Sequence, residues 1–122
     1  MDQTMPSIVL IIISVILSAC GQVAMKMGAS SLTSNNDMLL LKFLHYFTNL
    51  PIMVGLALYG LSAFIWIAAL EKVQLSYAYP MAALGYVLVA VLSFLIFNEP
   101  LSLTRIAGLA IIVVGVVVIS QS

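Results

Sequence analysis

Four apolar stretches, each about as long as a helix that crosses a bilayer, constrain this 122-residue chain more than anything else in it. They cover roughly residues 7–27, 51–70, 75–97 and 103–120. A spanning helix needs about 20 mainly apolar residues. The runs are too long and too unalternating for barrel strands, and lipid cannot satisfy open backbone groups, so helices are the only reading. The predicted fold is an all-α membrane protein, a single four-helix transmembrane domain over residues 1–122 built as an antiparallel bundle. Composition agrees, because the chain is 64% hydrophobic and 7% charged. Four Lys/Arg and four Asp/Glu are too few to clothe a soluble domain of this size. A formal net charge of zero argues against nucleic acid as a partner.

Conventional catalytic equipment is scarce. The single cysteine, Cys20, excludes an internal disulfide or multi-cysteine metal site, and the single histidine, His45, excludes a His pair. No nucleophile–base or metal-ligand set stands out, so an enzyme, a cofactor and a metal are not expected. Leu17-Ser18-Ala19-Cys20-Gly21 reads like a lipoprotein cleavage box. Against it, the preceding segment carries Asp2 and no Lys or Arg, and the apolar pattern continues through Val23, Ala24 and Met25. An uncleaved first span is expected.

The spans are punctuated by recognisable residues. Pro6 and Pro51 sit near starts, where a missing N–H costs nothing. Glu71-Lys72 separates the second span from the third, and Asn98-Glu99-Pro100 the third from the fourth. Gly28 to Asn35, rich in Ser, Gly and Asn, predicts a loop. Met38–Phe47 is apolar but short, with Lys42 and His45 three apart. It reads either as an interfacial helix or as an extension leading into the second span. Lys42, Arg105 and a snorkelling Lys26 share one face and Lys72 the other, a bias of one or two charges toward both termini outside the cytoplasm, with insertion in both orientations or a topology fixed by a partner as the alternatives.

Polar residues inside the spans are the candidate functional groups. Ser14, Ser18, Gln22 and Lys26 recur every four residues and form one slowly drifting stripe along the first helix. Such groups are costly in hydrocarbon, so the stripe should face other helices or a wet pathway. Interhelical hydrogen-bond glue with a terminal snorkelling lysine is the rival reading. In the second span Tyr59, Ser62, Ala63 and Trp66 fall at helical spacing, as a ligand wall or as ordinary packing. Tyr79 and Tyr86, seven apart on one face of the third span, are favoured for a cavity, and Pro80 beside them loosens the helix start and frees a carbonyl. Glu99 and Arg105 are expected as an ion pair at the mouth of the last loop, a gating position at most. Gly108 and Gly115, seven apart on the fourth span, suggest a packing or dimerisation seam.

Three motifs together resemble a known family. Leu75-Ser-Tyr-Ala-Tyr-Pro-Met81, Phe97-Asn-Glu-Pro-Leu-Ser102 and Ile106-Ala-Gly-Leu-Ala-Ile-Ile-Val-Val-Gly-Val116 resemble the closing half of an EamA-type unit of the drug/metabolite transporter superfamily. Gly21-Gln22…Lys26 fits its small four-helix members. Two branches are this small. The small multidrug resistance exporters use a glutamate in the middle of the first helix, and alignment on Lys26 puts Ser18 at that place; no carboxylate lies within any span. The Gly-Gln…Lys pattern, the Ala-Tyr-Pro turn and the Glu-Pro after the third span are more similar to the subunits that flip aminoarabinose-linked undecaprenyl phosphate.

That resemblance implies a flippase subunit of the bacterial inner (cytoplasmic) membrane that moves a polyprenyl-phosphate-linked sugar or related lipid. Lys26 and Gln22 would meet the phosphate, and Ser14, Ser18, Tyr59, Trp66, Tyr79 and Tyr86 the rest of the substrate. Transporters commonly pair repeats around a midplane site, so a homodimer, or a heterodimer with a sister subunit, is expected across Gly108 and Gly115. An exporter of amphipathic drugs or metabolites, and a non-transporting partner of a membrane glycosyltransferase, are the alternatives.

Overall fold

The computed structural model describes residues 4–31 and 38–122. Those residues form α1 (Thr4–Ser31), α2 (Leu39–Tyr46), α3 (Leu50–Leu70), α4 (Leu75–Ala82), α5 (Leu84–Phe97) and α6 (Leu103–Ser120). Four segments are long and apolar enough to span a bilayer: Ser7–Ser31, Leu50–Leu70, Leu75–Phe97 and Leu103–Ser120. The chain is a multi-pass, all-helical membrane protein.

Two boundaries differ from expectation, and an alternative left open is resolved. Gly28 to Ser31, predicted to open a loop, is the last turn of α1; the remainder of that predicted loop, through Asn35, and Asp2 lie outside the described residues. α2 is a helix of its own, with no buried residue, and hydrogen-bonded turns through Phe47, Thr48 and Asn49 separate it from α3. The interfacial reading of this segment therefore fits better than an extension of the second span.

The third span is two helices. Pro80 has no N–H to give to Ser76, and three residues later the ladder tightens: Ala83 N donates to Pro80 O (2.9 Å) and Tyr86 N to Ala83 O (3.0 Å). The proline thus lies well inside α4 rather than at a start, and the break follows it.

α1 and α3 form the main seam, and they run antiparallel. Three heights define the pairing. At one end Asn49 caps α3 by accepting from Ile52 N (3.0 Å), while its Nδ2 donates to Ser31 Oγ (3.2 Å) and Gly28 O (3.4 Å) at the end of α1. In the middle Gly21 and Gly55 bring the two backbones together: a Cβ on Gly21 would stand 2.8 Å from Gly55 O. Further along, Ser14 Oγ donates to Ser62 O (2.8 Å). Close approach through small residues is how helices associate in lipid, where dispersion rather than water exclusion does the holding. Beyond the serines Ile11, Ala69 and Ala78 form a small buried cluster with Trp66, Leu70, Val73 and Met81 packed around it.

The α1 terminus was misjudged because its last turn is held by Asn49, 18 residues beyond Ser31. Asn49→Ala removes the α3 cap and both bridges to α1. It is expected to cost about 1–2 kcal/mol, read as a lowered thermal midpoint of the detergent-purified protein. An unchanged midpoint would show that the bridges carry nothing.

α6 stands off the α1–α3 seam. It packs mainly on α4 and α5, and Val116 is its one buried residue. Neither Gly108 nor Gly115 has a neighbour within 4 Å of a Cβ placed on it. The close glycine contacts of this chain are therefore at Gly21, Gly28 and Gly55.

Candidate functional site

Between α1, α3 and the broken third span lies a cleft of about 620 Å³. Each element contributes one face, set by helical spacing. α1 supplies Ser14, Ser18 and Gln22; α3 supplies Tyr59, Ser62, Ala63 and Trp66; the third span supplies Tyr79, Pro80 and Tyr86. Seven of the residues singled out from sequence as substrate contacts thus line one wall or another of a single cleft. Lys26, one helical turn beyond Gln22, is exposed and does not line it.

The polar groups differ in how they are engaged. Ser14 is buried and gives its proton to the α3 backbone, so it acts as interhelical glue. Ser62 Oγ donates to Tyr59 O within its own helix (2.6 Å). Ser18, Gln22, Tyr59, Trp66, Tyr79 and Tyr86 make no side-chain hydrogen bond among the described residues. Tyr79 and Tyr86 are 70% and 68% exposed, so their rings border open space rather than fill a packed core. Unpaired polar groups at membrane depth are expensive, and they mark where water or a ligand enters.

Small residues make the room. Ala82, Ala83 and Gly85 line the cleft where the third span breaks, between the two tyrosines. A Cβ on Gly85 would sit 3.5 Å from Val15 of α1, so this turn passes close to the opposite wall. Sequence reading noted the tyrosines but not this run of small side chains, which is legible in Ala82-Ala83-Leu84-Gly85. It also missed Asn49, although Asn49-Leu50-Pro51 has the form of a capped helix start.

The remaining candidates lie elsewhere. Glu99, Arg105 and Gly108 line a separate hollow of about 500 Å³ between α5 and α6. No ion pair joins Glu99 to Arg105, contrary to expectation; Arg105 Nη1 donates to Pro100 O instead (3.3 Å). The carbonyl lies five residues back, which gives the guanidinium a partner the sequence does not advertise. Gly115 lines neither space.

The family model described as Small Multidrug Resistance protein matches residues 36–112, well over half of the chain. The chain belongs to the small multidrug resistance family. Within this family setting its relatives carry a particular description. A probable 4-amino-4-deoxy-L-arabinose-phosphoundecaprenol flippase subunit ArnE of Pseudomonas aeruginosa (strain UCBPP-PA14) is 42% identical over 72 residues, 59% of this chain and 62% of that protein. Less than two thirds of that relative's length is therefore matched. The probable flippase subunits ArnF of Photorhabdus laumondii and Aeromonas hydrophila cover more. The first is 35% identical over 90% of this chain and 93% of its own length, the second 33% identical over 87% and 74%. No solved structure matches the chain. Among the described residues of this small multidrug resistance family member, no carboxylate lies within a span; Glu71 and Glu99 fall just outside the helix ends.

Proposed function

We propose that this chain is one subunit of a dimeric flippase that carries a polyprenyl-phosphate-linked sugar, or a closely related lipid, across the bacterial inner membrane. The observation that carries the reading is a cleft at membrane depth whose free hydroxyl, amide and indole groups include no carboxylate. Sugars are recognised by such neutral donors and acceptors over an aromatic floor, and a volume of about 620 Å³ is in the usual range for small-ligand sites. The headgroup fits there, while the polyprenyl tail stays in lipid beside the open side. The relatives' descriptions support the same substrate class.

In this mechanism Gln22 and Ser18 bond the sugar phosphate, and Tyr79 and Tyr86 flank it. Lys26, at the end of the same stripe, neutralises the phosphate as it arrives or leaves. The hydrogen-bond switch at Ala83 is a point where α5 can tilt against α4, opening the cleft to one side and then the other. A second copy or a sister subunit completes the pathway, with α6 and its open Gly108 and Gly115 at the seam. No step makes or breaks a covalent bond, so the protein is a transporter rather than an enzyme.

The family match favours one rival, export of small amphipathic cations. Against it stands Ser18, a hydroxyl where a cation exporter needs a carboxylate to bind the cation and carry the proton.

Reconstitution separates the two. Proteoliposomes holding the chain, alone and with its sister subunit, are loaded with an amino-sugar polyprenyl phosphate or with a lipophilic cation. Lipid transfer is expected without cation transport. Gln22→Ala and Lys26→Ala should each slow the transfer by about tenfold, one lost hydrogen bond or charge contact, with the protein still monodisperse. Cation transport with no lipid transfer would overturn the proposal, and a wild-type rate for Lys26→Ala would remove the phosphate role of that residue.

A further inference from the structure

The hollow between α5 and α6 holds two opposite charges that its own architecture keeps apart. Asn98 ends α5 in the left-handed conformation (φ 56°, ψ 31°), which a short polar side chain tolerates better than a branched one. Its N–H, and that of Glu99 at 3.3 Å, turn back to Ser93 O. This bend delivers the half-buried Glu99 to the mouth of the hollow. On the other side Ser102 Oγ accepts from Arg105 N (3.2 Å) and caps α6, and Arg105 Nη1 is drawn to Pro100 O. That contact uses one of five guanidinium N–H groups. The Glu99 carboxylate makes no hydrogen bond or ion pair among the described residues.

An acceptor and a donor of full charge, lining one space of about 500 Å³ without neutralising each other, fit a ligand that carries both signs. Ser93 adds a hydroxyl to the same wall, and Leu109 and Ile112 line its apolar part. A lipid whose headgroup holds a phosphate and a primary amine has that pattern. Tyr86 and Val89 line both this hollow and the larger cleft, so one turn of α5 separates the two spaces.

We propose that the α5–α6 hollow is a docking site for an amine-bearing lipid phosphate, with Arg105 on the phosphate and Glu99 on the amine, from which the headgroup passes around Tyr86 into the central cleft. This inference rests on the flippase reading and deepens it: it names the amine as the feature by which substrate is admitted. Glu99 is then a specificity residue and Arg105 an affinity residue.

The two roles are separable by binding. Native mass spectrometry of the detergent-purified protein is run with three probes: an amino-sugar polyprenyl phosphate, the same lipid with a hydroxyl in place of the amine, and phosphatidylethanolamine. The wild type should prefer the amine over the hydroxyl lipid by at least about tenfold, as expected for a charge-assisted contact. Glu99→Gln, nearly isosteric, should abolish that preference while leaving hydroxyl-lipid binding unchanged. Arg105→Gln should weaken both polyprenyl lipids by about tenfold, and Arg105→Lys should restore part of the loss because it keeps the charge without the fork. A Glu99→Gln protein that still prefers the amine overturns the site. Glu99-dependent capture of phosphatidylethanolamine with none of the amino-sugar lipid overturns its assignment to the transported substrate. If wild-type and Glu99→Gln proteoliposomes transfer amine and hydroxyl lipids with the same selectivity, docking fails while the flippase reading stands. If the wild type transfers neither lipid, both fail together.

Discussion

Gly55→Val is expected to leave little correctly folded protein. A Cβ at this position would stand 2.6 Å from Gly21 O, 2.6 Å from Met25 Cγ and 2.8 Å from Met25 N. Two of those three atoms are backbone, so no rotamer change relieves the clash and α1 must move off α3. Overpacking typically costs about 1–3 kcal/mol, and a branched side chain driven into a facing backbone belongs at or above the top of that range. The seam also carries the Ser14–Ser62 and Asn49–Ser31 bonds, which lengthen together when the helices part. Gly60→Val is the matched control, since an added Cβ there meets nothing within 4 Å. The measurement is the monodisperse fraction after detergent extraction and the thermal midpoint of what survives. Equal yields and midpoints for the two variants would mean that the Gly21–Gly55 contact does not hold the fold.

Ser18→Glu tests the chemistry of the cleft rather than its frame. Ser18 is half-buried, makes no side-chain hydrogen bond among the described residues, and shares the cleft with Gln22 and Tyr86. A carboxylate there repels a lipid phosphate and has no cation beside it in the lining. Two like charges about 6 Å apart at an effective dielectric near 20 repel by about 3 kcal/mol, which corresponds to roughly a hundredfold in transfer rate at neutral pH. Two further results should accompany the loss. Acidification protonates the carboxyl and should restore lipid transfer, whereas the wild type has no such dependence from this position. The variant should also gain affinity for a lipophilic cation, because the cleft then offers it a counter-charge. Wild-type lipid transfer by Ser18→Glu at neutral pH would show that the headgroup does not pass this residue.

The four spans were legible because the criterion behind them is solvent physics: a run of apolar residues either matches the thickness of hydrocarbon or does not. The polar stripe was legible for a related reason, since a period of four on a helix is geometry that no tertiary contact alters. Less legible was which backbones would touch and which charges would pair. Gly108 and Gly115 have the spacing of a seam and stand open within this chain, while the backbones that touch are those of Gly21 and Gly55, in helices joined by a connection of 18 residues between α1 and α3. Spacing identifies a face but not the surface opposite it. The break at Ala83 was displaced from Pro80 because a proline removes one donor and the backbone absorbs the defect over the following turn. Glu99 and Arg105 are six positions apart with opposite charges, a pattern that invites pairing. The left-handed Asn98 and the Pro100 carbonyl send the two side chains elsewhere, and neither effect has a one-dimensional signature.

α6 crosses the bilayer with a single buried residue and two glycines facing open space. A span held so lightly by its own chain takes its remaining order from whatever meets it in the plane of the membrane. In the proposed dimer its packing would obey mass action in two dimensions, with the protein-to-lipid ratio as the controlling concentration. Diluting the protein into excess lipid should loosen α6 before it disturbs the α1–α3 pair, so the same polypeptide would be rigid when crowded and three-quarters rigid when sparse. Expression level then becomes a structural variable: below some surface density the chain is present and inserted, but its last helix has nothing to close against.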